Sequence, residues 1–307
     1  MSEQNRDMTR ESMKTVKKKS GKASTPKKKS NWFWNVALLL AIAVFAVSLW
    51  QLSEILMGYH EVDQEYEGIA NEMEQQTVPV PTQPQQDIQL NESQETAAPG
   101  QATMEVVIET EEETEETEAP FVLYVPDFAR LTSINSDVIG WIQIPGTKIN
   151  YPIVQGSDND YYLNHTVYGE ENSGGAIFMD AAIEDGFEDK NAIIYGHNLK
   201  SGAMFSRLNR YARKSFWDAN RYIYITTPVG MNVYEVFSAY QTTADADIYY
   251  YGFGEDQYYQ DYLDRITSYS IFNAGVAVGV DDTIITLSTC ANDTTQRFIV
   301  HAKKITE

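Results

Sequence analysis

From residue 121 onward the chain alternates short runs of β-branched and aromatic residues with turn signals, the pattern of half-buried strands. The runs are "IGWIQI" with "PG" after it, "INYPIVQ", "GAIFM", "NAIIYG", "RYIYIT", "MNVYEVFSAY", "GVDDTIITLST" and "RFIVHAKK". Eight such runs predict a mainly β domain, a closed or nearly closed β-barrel rather than an alternating βαβ fold. Helical spacing enters at three places. "PDFARLTSINSDV" (126–138) predicts a short N-terminal helix before the first strand, and "SGAMFSRLNRYA" (201–212) a helical insert. "EDQYYQDYLDRITSY" (255–269) predicts a helix with Tyr259, Tyr262, Leu263 and Ile266 on one face, between the sixth and seventh strands. The pattern contains no internal repeat.

Upstream the pattern changes twice. "WFWNVALLLAIAVFAVSLWQL" (32–52) is apolar over the length that crosses a bilayer core, with Asn35 as its one strongly polar interior residue. Trp32, Trp34 and Trp50 lie near its ends, as interfacial aromatics do. "KKK" at 17–19 and again at 27–29 marks residues 1–31 as a basic cytoplasmic tail. The expectation is a single-pass anchor in the cell membrane, N-terminus inside, with everything after residue 52 extracellular. A cleaved signal peptide is the competing reading. It would have a shorter apolar core and a small-x-small cleavage site, which "AVSLWQLSEIL" matches only weakly. Residues 53–120 read as a spacer: "TVPVPTQPQQDIQLNESQETAAPGQ" is rich in Pro, Gln and Thr, and "ETEEETEETE" (109–118) places seven Glu in ten positions. Such chain buries too little apolar area to offset its entropy, and its charges repel and extend it. The glutamates lack the spaced-ligand pattern of a dedicated calcium loop.

Charge and cysteine usage narrow the function. The 307 residues carry a formal net charge of −21, and 10 of the 23 Lys and Arg fall within residues 1–31. The remainder holds 13 basic against 41 acidic side chains, which excludes nucleic acid as a partner. With one cysteine, Cys290, there is no internal disulfide and no Cys-rich zinc site. What remains is an inert buried thiol, an intermolecular bridge or a nucleophile. Cys290 stands in "TIITLSTCAND" (283–293), where an apolar strand runs out into a polar turn, and it shares a strand face with Ser288. A strand end can project a nucleophile from a firm scaffold. "IIYGHN" (193–198) likewise ends a strand and offers His197, whose imidazole can take the thiol proton or hold a thiolate as an ion pair. His60 lies in the spacer, His165 in a Tyr-rich turn, and His301 in mid-strand, where histidines are usually structural. Arg297 opens the last strand after the turn 291–296. A hairpin there would return it beside Cys290, where a guanidinium can hold a substrate carbonyl and its oxyanion. The alternative for Arg297 is a surface ion pair.

"TLSTC" at a strand end, "YGHN" at 195–198 and the Arg after the Cys resemble the sortase family of cell-wall transpeptidases. "DVIGWIQIPGTKINYPIVQGSDNDYYLNHTVYGEENSGGAIFMD" (137–180), the lead-in helix and the helix-bearing insert resemble its class B. The resemblance covers roughly 121–307 and implies an eight-stranded sortase β-barrel there. It implies that Cys290 attacks the carbonyl of a Thr in the C-terminal sorting signal of a secreted protein, forming a thioester. A peptidoglycan precursor or cross-bridge amine would then resolve it. His197 matches the family's acid or base and Arg297 its substrate- and oxyanion-holding Arg. Ser288, and Asn159 and Leu163 in "NDYYL", resemble substrate-groove positions; no metal or other cofactor is implied. The long Glu-bearing spacer and the "AND" after Cys290 depart from the family pattern. Two alternatives stay open: a pilin-polymerising enzyme using a lysine amine, and a non-catalytic membrane-tethered binding domain.

Overall fold

The computed structural model describes residues 32–73, 77–78, 123–290 and 295–305. The basic tail, most of the spacer with its glutamate run, and residues 291–294 lie outside the described residues. The chain divides into two compact units, Met1–Leu52 and Ser53–Glu307. Helix α1 spans Trp32–Met73, and its part Trp32–Glu54 is long and apolar enough to cross a membrane.

Each of the eight predicted runs supplies one barrel strand. They are β3 (Val138–Gln143), β4 (Asn150–Val154), β5 (Ile177–Met179), β6 (Asn191–His197), β7 (Tyr222–Thr227), β8 (Gly230–Thr243), β9 (Ile284–Cys290) and β10 (Gln296–Lys304). The barrel closes in the order β10-β8-β7-β3-β4-β5-β6-β9. Two neighbouring pairs, β4–β5 and β6–β9, are parallel. Alternation sends Ile142, Ile153, Ile194, Ile225, Leu287 and Val300 inward to one core. The seventh strand begins at Ile284, later than its run suggests, because Gly279–Asp282 form a turn in which Asp282 N donates to Gly279 O at 3.0 Å.

Helix α2 (Phe128–Ile134) starts at Asp127, whose Oδ1 accepts from Arg130 N at 3.1 Å, an N-cap. The 201–212 insert is a 3₁₀ helix, Phe205–Ala212, followed by a short α3 (Lys214–Ala219). Its buried Phe205, Leu208 and Tyr211 recur every third residue, the 3₁₀ period and not the α period. Helix α4 (Asp256–Ser268) buries Tyr259, Tyr262, Leu263 and Ile266 as its spacing predicts. They pack with Phe237, Tyr240, Ile284 and Ile299 in a second cluster against β8, β9 and β10.

The segment expected to be spacer from residue 53 is α-helix up to Met73, and it belongs to the same compact unit as the barrel. Tyr66 and Ile69 are 2% and 1% exposed and belong to the main core. A stripe at 59, 62, 66, 69 and 73, spaced three and four apart, carries Tyr, Val, Tyr, Ile and Met. Burying Tyr66 and Ile69 contributes about 1.5–3 kcal/mol each to docking that stretch. Beyond it, β1 (Thr77–Val78) pairs antiparallel with β2 (Leu123–Tyr124).

His301, on β10, is fully buried between neighbouring strands. Thr286 Oγ1 donates to Asn191 Oδ1 at 2.7 Å, so it accepts from His301 Nδ1–H at 2.9 Å. That leaves His301 Nε2 to accept the Tyr240 hydroxyl at 2.9 Å. The network holds one neutral tautomer, and burial pushes the ring pKa down to about 3. The folded value lies below that of the unfolded chain, so this contribution to stability is full above the unfolded pKa and is lost as pH falls. We expect urea unfolding to weaken with a slope approaching about 1.4 kcal/mol per pH unit from this group between pH 6 and 4. His301→Gln should be less stable at pH 7 but show a shallower acid slope; an unchanged slope would exclude His301 as its source.

Candidate active site at the barrel rim

Strands β6 and β9 run parallel through seven register pairs, from Asn191↔Ile284 to His197↔Cys290. Both strands therefore finish at one rim, and the histidine and the cysteine are the last pair. Gly196 makes the close packing before His197 possible. A Cβ there would lie 2.4 Å from Ile177 Cδ1 and 2.8 Å from Phe205 Cδ2, a distance no side chain tolerates.

Arg297 reaches the same rim from the other side. Antiparallel β10–β9 pairing runs from Lys303↔Ile284 to Ile299↔Ser288. Past the ladder, Phe298 N donates to Thr289 Oγ1 at 2.9 Å. The next residues in that register are Arg297 and Cys290. Arg297 Nη1 donates to Gln296 O at 2.9 Å, and its charge is felt at His197.

His197 is half-buried, and its Nε2 lies 2.7 Å from the backbone oxygen of Leu163. A carbonyl only accepts, so Nε2 carries a proton and Nδ1 is the nitrogen left for proton exchange. Burial is the largest influence on the ring and lowers its pKa below the usual histidine value. The Leu163 carbonyl opposes this, and the Arg297 charge adds to the lowering. The net direction keeps the resting ring neutral near pH 7.

The remaining sequence candidates divide. Leu163 is brought to His197, through its carbonyl and not its side chain. Ser288 pairs with Tyr195 in the β6–β9 ladder and is 1% exposed, its hydroxyl 3.0 Å from that of Tyr249. Asn159 is exposed and braces a loop: its Oδ1 accepts from Ala181 N at 2.8 Å. His165 stacks on Tyr161 at 4.0 Å, with Nδ1 2.9 Å from Tyr161 O. The side chain of His60 lies outside the described residues. Among the described residues no group of His, Cys, Asp and Glu could hold a metal ion.

Two tyrosines lie close by, Tyr195 within the "YGHN" motif and Tyr249 outside any motif. Tyr195 donates to Asp180 Oδ2 at 2.8 Å, and its ring lies 6.0 Å from that of Tyr249. Tyr249 stands in the "YYY" run before α4, the one hint the sequence offers. Met204 closes the loop after His197 by bridging to Asn198, with φ 52° and ψ −133°, a conformation side-chain-bearing residues rarely adopt. That strain costs about 1–3 kcal/mol and persists only where the surroundings hold it. Here Tyr151 helps, its hydroxyl accepting from Met204 N at 3.1 Å.

Comparison with known proteins bears on the fold and the family. A family profile described as "Sortase domain" matches residues 142–305. Sortase B of Staphylococcus aureus is 40% identical over 183 residues, 59% of this chain and 75% of that protein. Sortase B of Listeria monocytogenes is 38% identical over 183 residues, 58% of this chain and 73% of that protein. The solved Staphylococcus aureus sortase B–substrate complex superposes with a TM-score of 0.56 at 40% identity, covering 58% of this chain and 84% of that one. A closed eight-stranded barrel, a helix inserted between its sixth and seventh strands and this degree of identity place the chain in the sortase family of cysteine transpeptidases, with the sortase B type.

Proposed function

We propose that the chain is a membrane-anchored sortase that cuts a C-terminal sorting signal after Thr, holds the protein as a thioester on Cys290 and passes it to a cell-wall amine. The reading rests on one observation above all, the register pairing of His197 with Cys290 at the end of a parallel ladder. That a Staphylococcus aureus relative is solved as a substrate complex supports a substrate-binding role for this fold. The apolar helix Trp32–Glu54 supports the anchor, with the catalytic unit outside the cell.

In this mechanism the neutral His197 takes the Cys290 thiol proton at Nδ1 while Nε2–H stays on the Leu163 carbonyl. The thiolate attacks the Thr carbonyl, and Arg297 holds the oxyanion. Collapse breaks the peptide bond, and the imidazolium returns its proton to the leaving amine. The acceptor amine then attacks the thioester, His197 removes its proton, and the thiolate leaves and is reprotonated as the new amide forms. Cys290, His197 and Arg297 are the catalytic groups. We assign Asn159, Leu163 and Ser288 to the groove, with Tyr249 shaping its wall through Ser288. We take the acceptor to be a wall amine rather than a pilin lysine, as the resemblance to class B sortases implies.

Full-length protein in detergent micelles, incubated with a library of Thr-containing five-residue signals and an amine, should yield an acyl adduct on Cys290 and a transferred product by mass spectrometry. Cys290→Ala should abolish both, and His197→Ala should slow acylation by about 10²–10⁴-fold. Signal cleavage surviving Cys290→Ala would remove the mechanism. By NMR, His197 should titrate below the usual histidine midpoint, and Arg297→Gln should move that midpoint up, because one of its two lowering influences is gone. A downward move would place the guanidinium elsewhere.

A further inference from the structure

The helix that precedes the sortase-family domain touches the segment that holds His197. Gly58 and Tyr66 on α1 lie well outside the matched residues 142–305. Tyr66 sends its ring into the core and its hydroxyl into the loop between β4 and β5. That hydroxyl donates to Gly175 O at 3.1 Å and accepts from Val167 N at 3.2 Å. Eight residues earlier, Gly58 O accepts from Asn172 Nδ2 at 3.2 Å, a second tie to the same loop.

Gly175 packs so near the carbonyl that His197 uses that no side chain fits between them. Its φ is +58°, and a Cβ there would lie 2.5 Å from Tyr162 O and 2.7 Å from Leu163 O. Ala176 N donates to Tyr162 O at 3.0 Å, and Asn172 N to Asn164 O at 2.8 Å, so Leu163 is bracketed on both sides. The links run from Tyr66 hydroxyl to Gly175, from Gly175 to the Leu163 carbonyl, and from that carbonyl to His197 Nε2. A second path leaves from the ring. Tyr66 meets Tyr151 edge to face, centroids 5.4 Å apart, and the Tyr151 hydroxyl holds Met204, which closes the loop after His197. Tyr66 thus touches the loop between β4 and β5 directly, and the loop after His197 through Tyr151.

We propose that Tyr66 is a positioning residue: through Gly175 and the loop Tyr161–Gly175 it sets the Leu163 carbonyl against His197 Nε2, making the membrane-proximal helix part of the active site's support. The proposal rests on the catalytic reading of His197 given above. Loss of the hydroxyl should leave the ring packed and free the loop. The Leu163 carbonyl favours the protonated ring, so its loosening should lower the His197 midpoint further.

Cys290 is the chain's only cysteine, so iodoacetamide reports on it without a known substrate. The comparison uses full-length wild type, Tyr66→Phe and Tyr211→Phe in detergent. Tyr211→Phe is the control, since it too loses a buried hydroxyl bond, to Asn220 O at 2.8 Å. Both variants should lower the thermal midpoint. Only Tyr66→Phe should move the His197 NMR midpoint down and slow alkylation at pH 7 by about threefold to tenfold, the factor one lost hydrogen bond carries. Asn172→Ala, which cuts the tie to Gly58, should move the same midpoint the same way by less, and it serves should Tyr66→Phe fail to fold. An unmoved His197 midpoint in the folded variant, with stability lowered as in the control, would overturn the proposal. Alkylation unaffected by His197→Ala would instead overturn the catalytic reading, and the midpoint alone would then judge Tyr66.

Discussion

The parallel pairing of β6 with β9 is the constraint from which the site follows. An antiparallel pair sets the end of one strand against the beginning of the other. Two seven-residue strands paired that way would hold their last residues about 20 Å apart. Parallel pairing puts both ends at one rim, and the register makes His197 and Cys290 level. Closure of the barrel then places β10 on the far side of β9, and its antiparallel course brings Arg297 back to the same height. The parallel pair brings His197 across 93 positions of sequence to Cys290, and the hairpin that follows returns Arg297 to the same end.

That constraint has a steric corollary. Residues at the end of a ladder are useful only if the chain can turn away without lifting them. Gly196 allows β6 to pass against Ile177 and Phe205, and Met204 accepts an unfavourable backbone to close the loop that follows. The two histidines on the paired strands illustrate how environment divides similar groups. His301 is sealed between Thr286 and Tyr240 and is held in one neutral form. His197 is also lowered chiefly by burial, but a single carbonyl secures one nitrogen and leaves the other to the rim.

Much of this was legible in the sequence, for physical reasons. Strand alternation marked all eight barrel strands, and the 3–4 spacing marked the buried face of α4. Polar, chemically active residues at the ends of apolar runs marked the rim. The docked helix around Tyr66 was not legible, because Glu61, Asp63, Glu65 and Glu67 between its apolar positions give it the composition of a solvated tail. The loop contact to His197 was hidden for another reason. It uses the backbone oxygen of Leu163, an atom every residue possesses, so no residue type announces it. The insert at 201–212 was legible as helical, but its 3₁₀ type was not, because a period of three differs too little from 3.6 to distinguish over eight residues.

The β6–β9 ladder also joins segments separated by most of the domain. Between His197 and Ile284 the chain must complete β7, β8 and α4 before the seventh strand can find its partner. Pairings of such long range carry a loop-closure entropy that local contacts do not, and they form slowly. Until they form, His197 cannot stand level with Cys290. The level placing of His197 and Cys290 therefore exists only in a chain that has been made almost to its end.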